Sequence, residues 1–376
     1  MADAFKLLID RTRIREAGFH LQRVWRDFDR RGFEKQALSG LDALEFKARA
    51  MQVADALEAF LPEDFDRAAG LIETSLGPPG EGDGLGFRTA QDGLAGWICW
   101  PLGEYISRRG IGSPERALIA LHALTRRFTA EFAIRPILLR HPDVVFRTLQ
   151  AWTRDPSAHV RRLVSEGSRP RLPWGLQLKP LIADPSPTLP LLRALQDDGS
   201  AYVRRSVANH LNDIAKDHPE RVAAWLQEHL PGASQQRRAL LRHASRTLIK
   251  QGHAPTLKAW GLGRAFKGEA SFRVTPKRLR IGETLQLQVD LRSQARQSQS
   301  LAIDYLVHYV KSNGGTSAKV FKGWTLNLAA GEFRRLKKTH SFRPVTTRTL
   351  FPGAHRLQLQ ANGKVLAEAA IVLVEK

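Results

Sequence analysis

Two stretches of this 376-residue chain align without a gap, DPSAHVRRLVSE at 155–166 and DGSAYVRRSVAN at 198–209. A period of this length belongs to helix-turn-helix units that cannot bury their apolar faces alone and must stack on copies of themselves. That requirement limits the fold more than any other feature. The preceding segments DVVFRTLQAW and TLPLLRALQD supply the first helix of each pair, and QQRRALLRHASRTLIKQG (235–252) reads as a further, degenerate unit. The expected fold class is an α-helical HEAT-like repeat solenoid, an α-α superhelix, reaching to about residue 265.

Helical patterning also fills residues 1–76, where Leu44, Ala48, Met51, Val53, Ala54, Leu57 and Phe60 recur near a 3.6 period and Pro62 marks a stop. GPPGEGDGLG (77–86) reads as a flexible stretch with no packed structure of its own and opens a Gly-rich connector over 77–95. The repeat region then spans 96–265, with Ser113 and Pro114 in SPERALIALHALTRRF carrying helix-start signals. From 269 to 376 the period changes to two. Leu285, Leu287, Val289 and Leu291 alternate with polar residues, and YLVHYV, WTLNL, HRLQLQ and AAIVLV follow between turn signals at Asn313-Gly314-Gly315, Pro352-Gly353 and Asn362-Gly363. This segment is expected to form an all-β immunoglobulin-like sandwich.

The charge is uneven. Residues 1–90 carry 13 basic and 16 acidic side chains, 91–268 carry 27 and 14, and 269–376 carry 18 and 7. A net charge of +21 puts a polyanion first among partners, because clustered Lys and Arg gain from counterion release on nucleic acid. RRLKK (334–338) is the densest run and suggests a second DNA clamp in the β-module. There is no apolar run long enough to span a bilayer and no signal-peptide pattern at the start. A monomer in the cytoplasm, without membrane attachment, is expected. Cys99 is the only cysteine, which excludes internal disulfides, iron–sulfur clusters and Cys-rich zinc sites.

One carboxylate stands out. On a helix over 158–167, Val160, Leu163, Val164 and Gly167 make the packing face, while Arg162 and Glu166 share the opposite face four residues apart. Arg161, Arg162, Arg204 and Arg205 then form a basic stripe in which Glu166 and Asn209 hold matching positions, and Arg169, Arg171 and Lys179 extend it toward phosphate. The plain reading of Glu166 is an i,i+4 ion pair with Arg162. The sharper one starts from repulsion: a carboxylate opposes phosphate, so its presence in a phosphate groove needs a use for negative charge. Surrounding arginines keep it ionised, which suits the stabilisation of a developing cation or the orienting of water rather than general acid work.

The blocks RRFTAEFAIRPILLRHPD (126–143), DPSAHVRRLVSEGSRPRLPW (155–174) and DDGSAYVRRSVANHLNDIAKDHPE (197–220) together resemble the signature regions of AlkC-type alkylpurine DNA glycosylases, relatives of AlkD among the HEAT-like-repeat glycosylases. The likeness covers most of 1–265, and the β-module resembles the Ig-like domain of some members. The resemblance implies a monofunctional DNA-3-methyladenine glycosylase that acts in base excision repair on cationic alkylated bases in double-stranded DNA, with no cofactor. It assigns Glu166 as the catalytic carboxylate, Glu131 as a second active-site acid, and Trp174 and Phe132 as lesion contacts. The alternative is a non-catalytic basic HEAT-repeat scaffold that binds DNA or RNA.

Other signals lead nowhere. HLPGAS (229–234) lacks the aspartate that a hairpin-type glycosylase needs, since no Asp occurs between 217 and 290. HPD (141–143) joins two helices rather than sitting on the β-scaffold of an iron oxygenase. His210 and His218 have no third ligand in view, so no metal is expected. Trp97 and Trp100 in WICWPLGEY read as packing residues.

Overall fold

The computed structural model describes residues 6–80, 88–345 and 348–375. The chain folds as two compact units, Met1–Asp217 and His218–Lys376.

The first unit is helical. Its helices are α1 (Arg11–Val24), α2 (Arg30–Leu38), α3 (Phe46–Phe60), α4 (Phe65–Ser75), α5 (Cys99–Arg109), α6 (Pro114–Thr125), α7 (Ile134–Arg140), α8 (Pro142–Trp152), α9 (Ala158–Gly167), α10 (Lys179–Ala183), α11 (Leu189–Leu195) and α12 (Ala201–Asp217). Asp10, Asp29 and Asp64 cap α1, α2 and α4 by accepting backbone N–H bonds, which satisfies donors that the helix start leaves open. The repeat register is real in three dimensions. Arg161 donates to the carbonyls of Asp155 and Pro156, and Arg204 makes the equivalent bonds to Asp198 and Gly199, so each Arg ties its helix to the loop before it. Val160, Leu163 and Val164 of α9 and Val203, Val207 and Leu211 of α12 are fully buried, as the 3.6 period requires.

The connector expected over 77–95 lies partly outside the described residues, which leave out 81–87. Its flanks, however, are packed. Leu76 and Leu94 form a parallel bridge, the Gly77 N–H donates to the Leu94 carbonyl at 3.0 Å, and Arg23 donates to the Gln91 and Asp92 carbonyls. At Gly77 and at Gly80, whose N–H donates to the Arg126 carbonyl at 3.0 Å, the expectation of an unpacked stretch is corrected. Gly93 explains the closeness: at φ +154° it sits against the Leu76 and Gly77 backbone, where a Cβ has no room.

Among the described residues the second unit holds four α-helices, α13 (Pro219–His229), α14 (Gln235–Ala244), α15 (Arg246–Gln251) and α16 (Ala254–Ala259), together with eight strands. The strands are β1 (Gly268–Thr275), β2 (Arg278–Arg280), β3 (Thr284–Ser293), β4 (Gln299–Val310), β5 (Thr316–Leu328), β6 (Phe333–Ser341), β7 (Gly353–Ala361) and β8 (Lys364–Val374). They form a three-stranded sheet, β1-β3-β6, and a five-stranded sheet, β2-β8-β7-β4-β5. The period-two residues Leu285, Leu287, Val289 and Leu291 all point into the core between the sheets, against Ile303, Tyr305, Leu357 and Leu359. Asn362 and Gly363 turn the β7–β8 hairpin at φ +49° and +77°.

Helices and sandwich share an apolar cluster of Ile249, Leu257, Leu262 and Ala302. Two glycines allow the approach: a Cβ on Gly363 would lie 2.5 Å from Gly252 Cα, and one on Gly252 would lie 2.9 Å from Gly363 Cα. The Asn362 side chain adds bonds to the Arg264 and Ser300 carbonyls. The sequence pattern puts the boundary at 265–269; the compact division falls at 217/218, with α13–α16 grouped with the strands.

Candidate active site

A cavity of about 260 Å³ in the first unit is lined by Glu131, Glu166, Phe132 and Trp174, with Trp97 and Arg169 among its other walls. The four residues assigned to catalysis and lesion contact therefore meet in one place, although 43 positions separate Glu131 from Trp174 in the chain.

Glu166 sits in the last turn of α9 and is only 6% exposed. Helix α12 reaches it through Ser206. Its Oε1 accepts from Arg169 Nη1 at 2.5 Å, and its Oε2 accepts from Ser206 Oγ at 2.5 Å. The i,i+4 partner Arg162 is farther off, at 3.8 Å. Burial pushes the Glu166 carboxyl up, but Arg162, Arg169 and the Ser206 hydrogen bond outweigh it and hold the group below the ordinary glutamate range.

Glu131 lies in the turn before α7. Its Oε2 accepts from Thr129 Oγ1 at 2.6 Å and meets Arg162 Nη1 at 2.6 Å. Its Oε1 has no hydrogen-bond partner among the described residues, so one face of this carboxylate is open to the cavity. Arg162 thus bridges the two acids, and its guanidinium also lies 4.9 Å from the Tyr202 ring centroid. Burial drives the Tyr202 hydroxyl up to about 12, which keeps it neutral.

The predicted basic stripe is largely engaged within the chain. Arg161 makes a bidentate pair with Asp198 at 2.6 and 3.0 Å. Arg169 clasps Asp213 at 2.8 Å, and Arg171 clasps Asp217 through two bonds of 2.7 Å. Arg162 and Arg204 are committed as described above. Arg205 and Lys179 are exposed, and Asn209 is half-buried at the position equivalent to Glu166.

Trp174 is 69% exposed and has φ +62°. A bulky residue rarely adopts the left-handed region, so its surroundings must hold it there. Arg135 does so. It is fully buried, donates to the Leu176 carbonyl at 2.6 Å and to the Gly167 carbonyl at 3.0 Å, and so clips the loop of Trp174 to the end of α9. Burial lowers its guanidinium to about 10, and it stays charged at neutral pH. The sequence reading does not single out Arg135, Thr129 or Ser206, and it places Asp213 on the polar stripe without its link to Arg169. A lone Arg inside the apolar run FAIRPILL was the available signal for Arg135. Trp97, read as packing, is half-buried and lines the cavity, whereas Trp100 is buried and stacks on Phe132 with ring centroids 5.4 Å apart.

The helical and β parts both find counterparts among known proteins. The family model of the C-terminal Ig-like domain of the uncharacterised protein YhaZ matches residues 269–375. The uncharacterized protein YhaZ of Bacillus subtilis (strain 168) is 34% identical over 367 residues, 97% of this chain and 98% of that one. The solved structure of Pseudomonas fluorescens alkylpurine DNA glycosylase AlkC bound to DNA containing an abasic site analog is 35% identical, covers 98% of this chain and 99% of its own, and superposes with a TM-score of 0.90. At this identity and coverage, from the first helices through the Ig-like sandwich, the chain belongs to the AlkC family of alkylpurine DNA glycosylases.

Proposed function

We propose that the protein is a monofunctional DNA glycosylase that hydrolyses the N-glycosidic bond of cationic alkylated purines, chiefly 3-methyladenine, in double-stranded DNA. The observation that carries this reading is the pair of carboxylates in one small cavity, one hydrogen-bonded at both oxygens and the other open on one oxygen.

The two acids divide the work. In a methylated adenine the ring already bears positive charge, so the C1′–N9 bond breaks with its electron pair passing to the base, which leaves neutral. No general acid is needed. Glu166, fixed by Arg169 and Ser206, supplies the counter-charge to the sugar as it turns cationic. Glu131, through its open Oε1, orients a water and takes its proton as the new C1′–O bond forms. The exposed indole of Trp174 favours a cationic base over undamaged adenine by roughly 0.5–2 kcal/mol of cation–π attraction. Arg205, Lys179 and Asn209 are proposed to face the DNA backbone, and Arg161, Arg162, Arg169, Arg171 and Arg204, engaged within the chain, to add positive charge beneath it. A scaffold without chemistry gives no reason to bury two acids side by side.

The test is release of free base from methylated genomic DNA, read by chromatography. Glu166→Gln is expected to lower release by about 10²–10³ while DNA binding stays equal or tightens. Equal release by both forms would remove Glu166 from catalysis.

A further inference from the structure

A second crevice, of about 460 Å³, lies in the second unit between α14–α15 and strands β4–β5, far in sequence from the carboxylate pair. Its floor is Asp304, 6% exposed, at the β-bulge where β4 pairs with β5. Asp304 Oδ1 accepts from the Gly323 N–H at 3.1 Å, and among the described residues its second oxygen has no hydrogen-bond partner. Around it stand Arg242, Lys250 and Lys322, none within 4.0 Å of a carboxylate among the described residues. Arg242 is half-buried and lies 5.1 Å from the Trp260 ring centroid, yet its guanidinium makes no hydrogen bond among the described residues. Burial holds its guanidinium below the ordinary arginine value, and Asp304 only partly offsets this.

One half-buried guanidinium that makes no hydrogen bond among the described residues and two exposed ammonium groups, gathered around one buried acceptor with an unused oxygen, form an incomplete site. The excess of positive charge calls for an anion, and planar guanidinium beside ammonium suits phosphate. The unpaired carboxylate oxygen calls for a hydrogen-bond donor on the same ligand, because a bare phosphate would meet only repulsion there. A nucleotide joins the two, phosphate to the cations and an exocyclic amine or sugar hydroxyl to Asp304.

We propose that this crevice is a nucleotide site, occupied either by a free nucleoside monophosphate or by a phosphorylated strand end of DNA. Titration calorimetry of the full chain with dAMP and with inorganic phosphate tests it. dAMP is expected to bind at least tenfold tighter than inorganic phosphate, and Lys322→Ala, on an exposed strand position, to weaken dAMP at least fivefold without a change in thermal stability. Asp304→Asn should erase most of the preference for dAMP over phosphate. Competition assigns the source: displacement of dAMP by a 5′-phosphorylated duplex but not by its unphosphorylated counterpart indicates a strand end, and the absence of such displacement indicates a free nucleotide. Equal binding of dAMP and phosphate, or dAMP binding unaffected by Lys322→Ala and Asp304→Asn alike, overturns the proposal.

Discussion

At the scale of single residues, the site depends on side chains held where their own preferences would not place them. Trp174 is the clearest case, with a backbone angle that costs an L-residue about 1–2 kcal/mol. Removing the indole therefore has two separable consequences. Trp174→Gly and Trp174→Ala should lose base release together, but the glycine form should be the more stable by about 1 kcal/mol in chemical denaturation, since only glycine takes φ +62° without penalty. An alanine form as stable as the glycine form would mean that the loop relaxes and that Arg135 does not hold it. Glu166 yields a pH prediction. Because its folded carboxyl lies below the ordinary range, its charge and the stability it adds persist at pH above that range and fade only as pH falls through the lowered value. Its ionisation should thus contribute no fall in base-release rate between pH 8 and pH 5, which a pH–rate profile of wild type reads directly. The sequence disclosed Glu166 and its nearby arginines but not which Arg it meets. Helical spacing puts Arg162 beside it, yet the short contact goes to Arg169, three residues on and past the helix end, where the chain direction changes and spacing ceases to guide.

Among elements, the repeats were legible because each one needs the same contacts. Arg161 and Arg204 tie their loops in the same way, and the apolar stripe repeats with them. What local pattern could not show is how one repeat covers the next: Ser206 and Asp213 reach the carboxylate site from α12, a relation between helices and not within one. Gly167 records how tight that packing is at the end of α9, where an added Cβ would sit 2.7 Å from Ile134 Cγ2 and 3.4 Å from Leu163 Cδ1. Gly167→Ala should cost about 1–3 kcal/mol, and combining it with Ile134→Ala should cost less than the two changes separately, because the truncation opens the space. Denaturant midpoints of the four proteins decide this; additive losses would point to backbone strain. Strand β6 carries another device. His340 is buried between Tyr305 and Tyr309, whose hydroxyls lie 3.0 and 2.9 Å from its two ring nitrogens. Burial lowers the ring to about 4, so the folded state favours the neutral form. The stability from this ring is present above its unfolded value of 6.5 and is lost as pH falls toward about 4. His340→Gln should remove up to about 1.4 kcal/mol per pH unit from the slope of unfolding free energy across that window.

For the whole molecule, composition announced a polyanion partner but not which cations would meet it, because Arg161, Arg169 and Arg171 of the expected stripe are paired with acids about one repeat away. The β-module spends its excess differently. Along β1, β3 and β6 the register sets Arg273 opposite Gln288 and Gln288 opposite Lys337, with Thr275, Gln286 and Thr339 as the adjacent row. These residues line an open concavity of about 930 Å³ on the side of the sheet away from the core. Arg273 and Arg335 share Asp290, whereas Lys338 donates to the Lys322 carbonyl, so Lys337 is the member of RRLKK with the least claim on it. A face that touches phosphate releases counterions, and each neutralised phosphate contributes about 0.9 to the slope of log affinity against log salt on duplex DNA. Replacing Arg273 and Lys337 together by Gln should therefore weaken DNA binding at low salt and reduce that slope by about 1–2, with base release at saturating DNA unchanged because the carboxylate cavity lies in the other unit. Fluorescence anisotropy at several salt concentrations separates the cases: an unaltered slope makes this a solvated strand face, and the second clamp is then to be sought elsewhere on the sandwich.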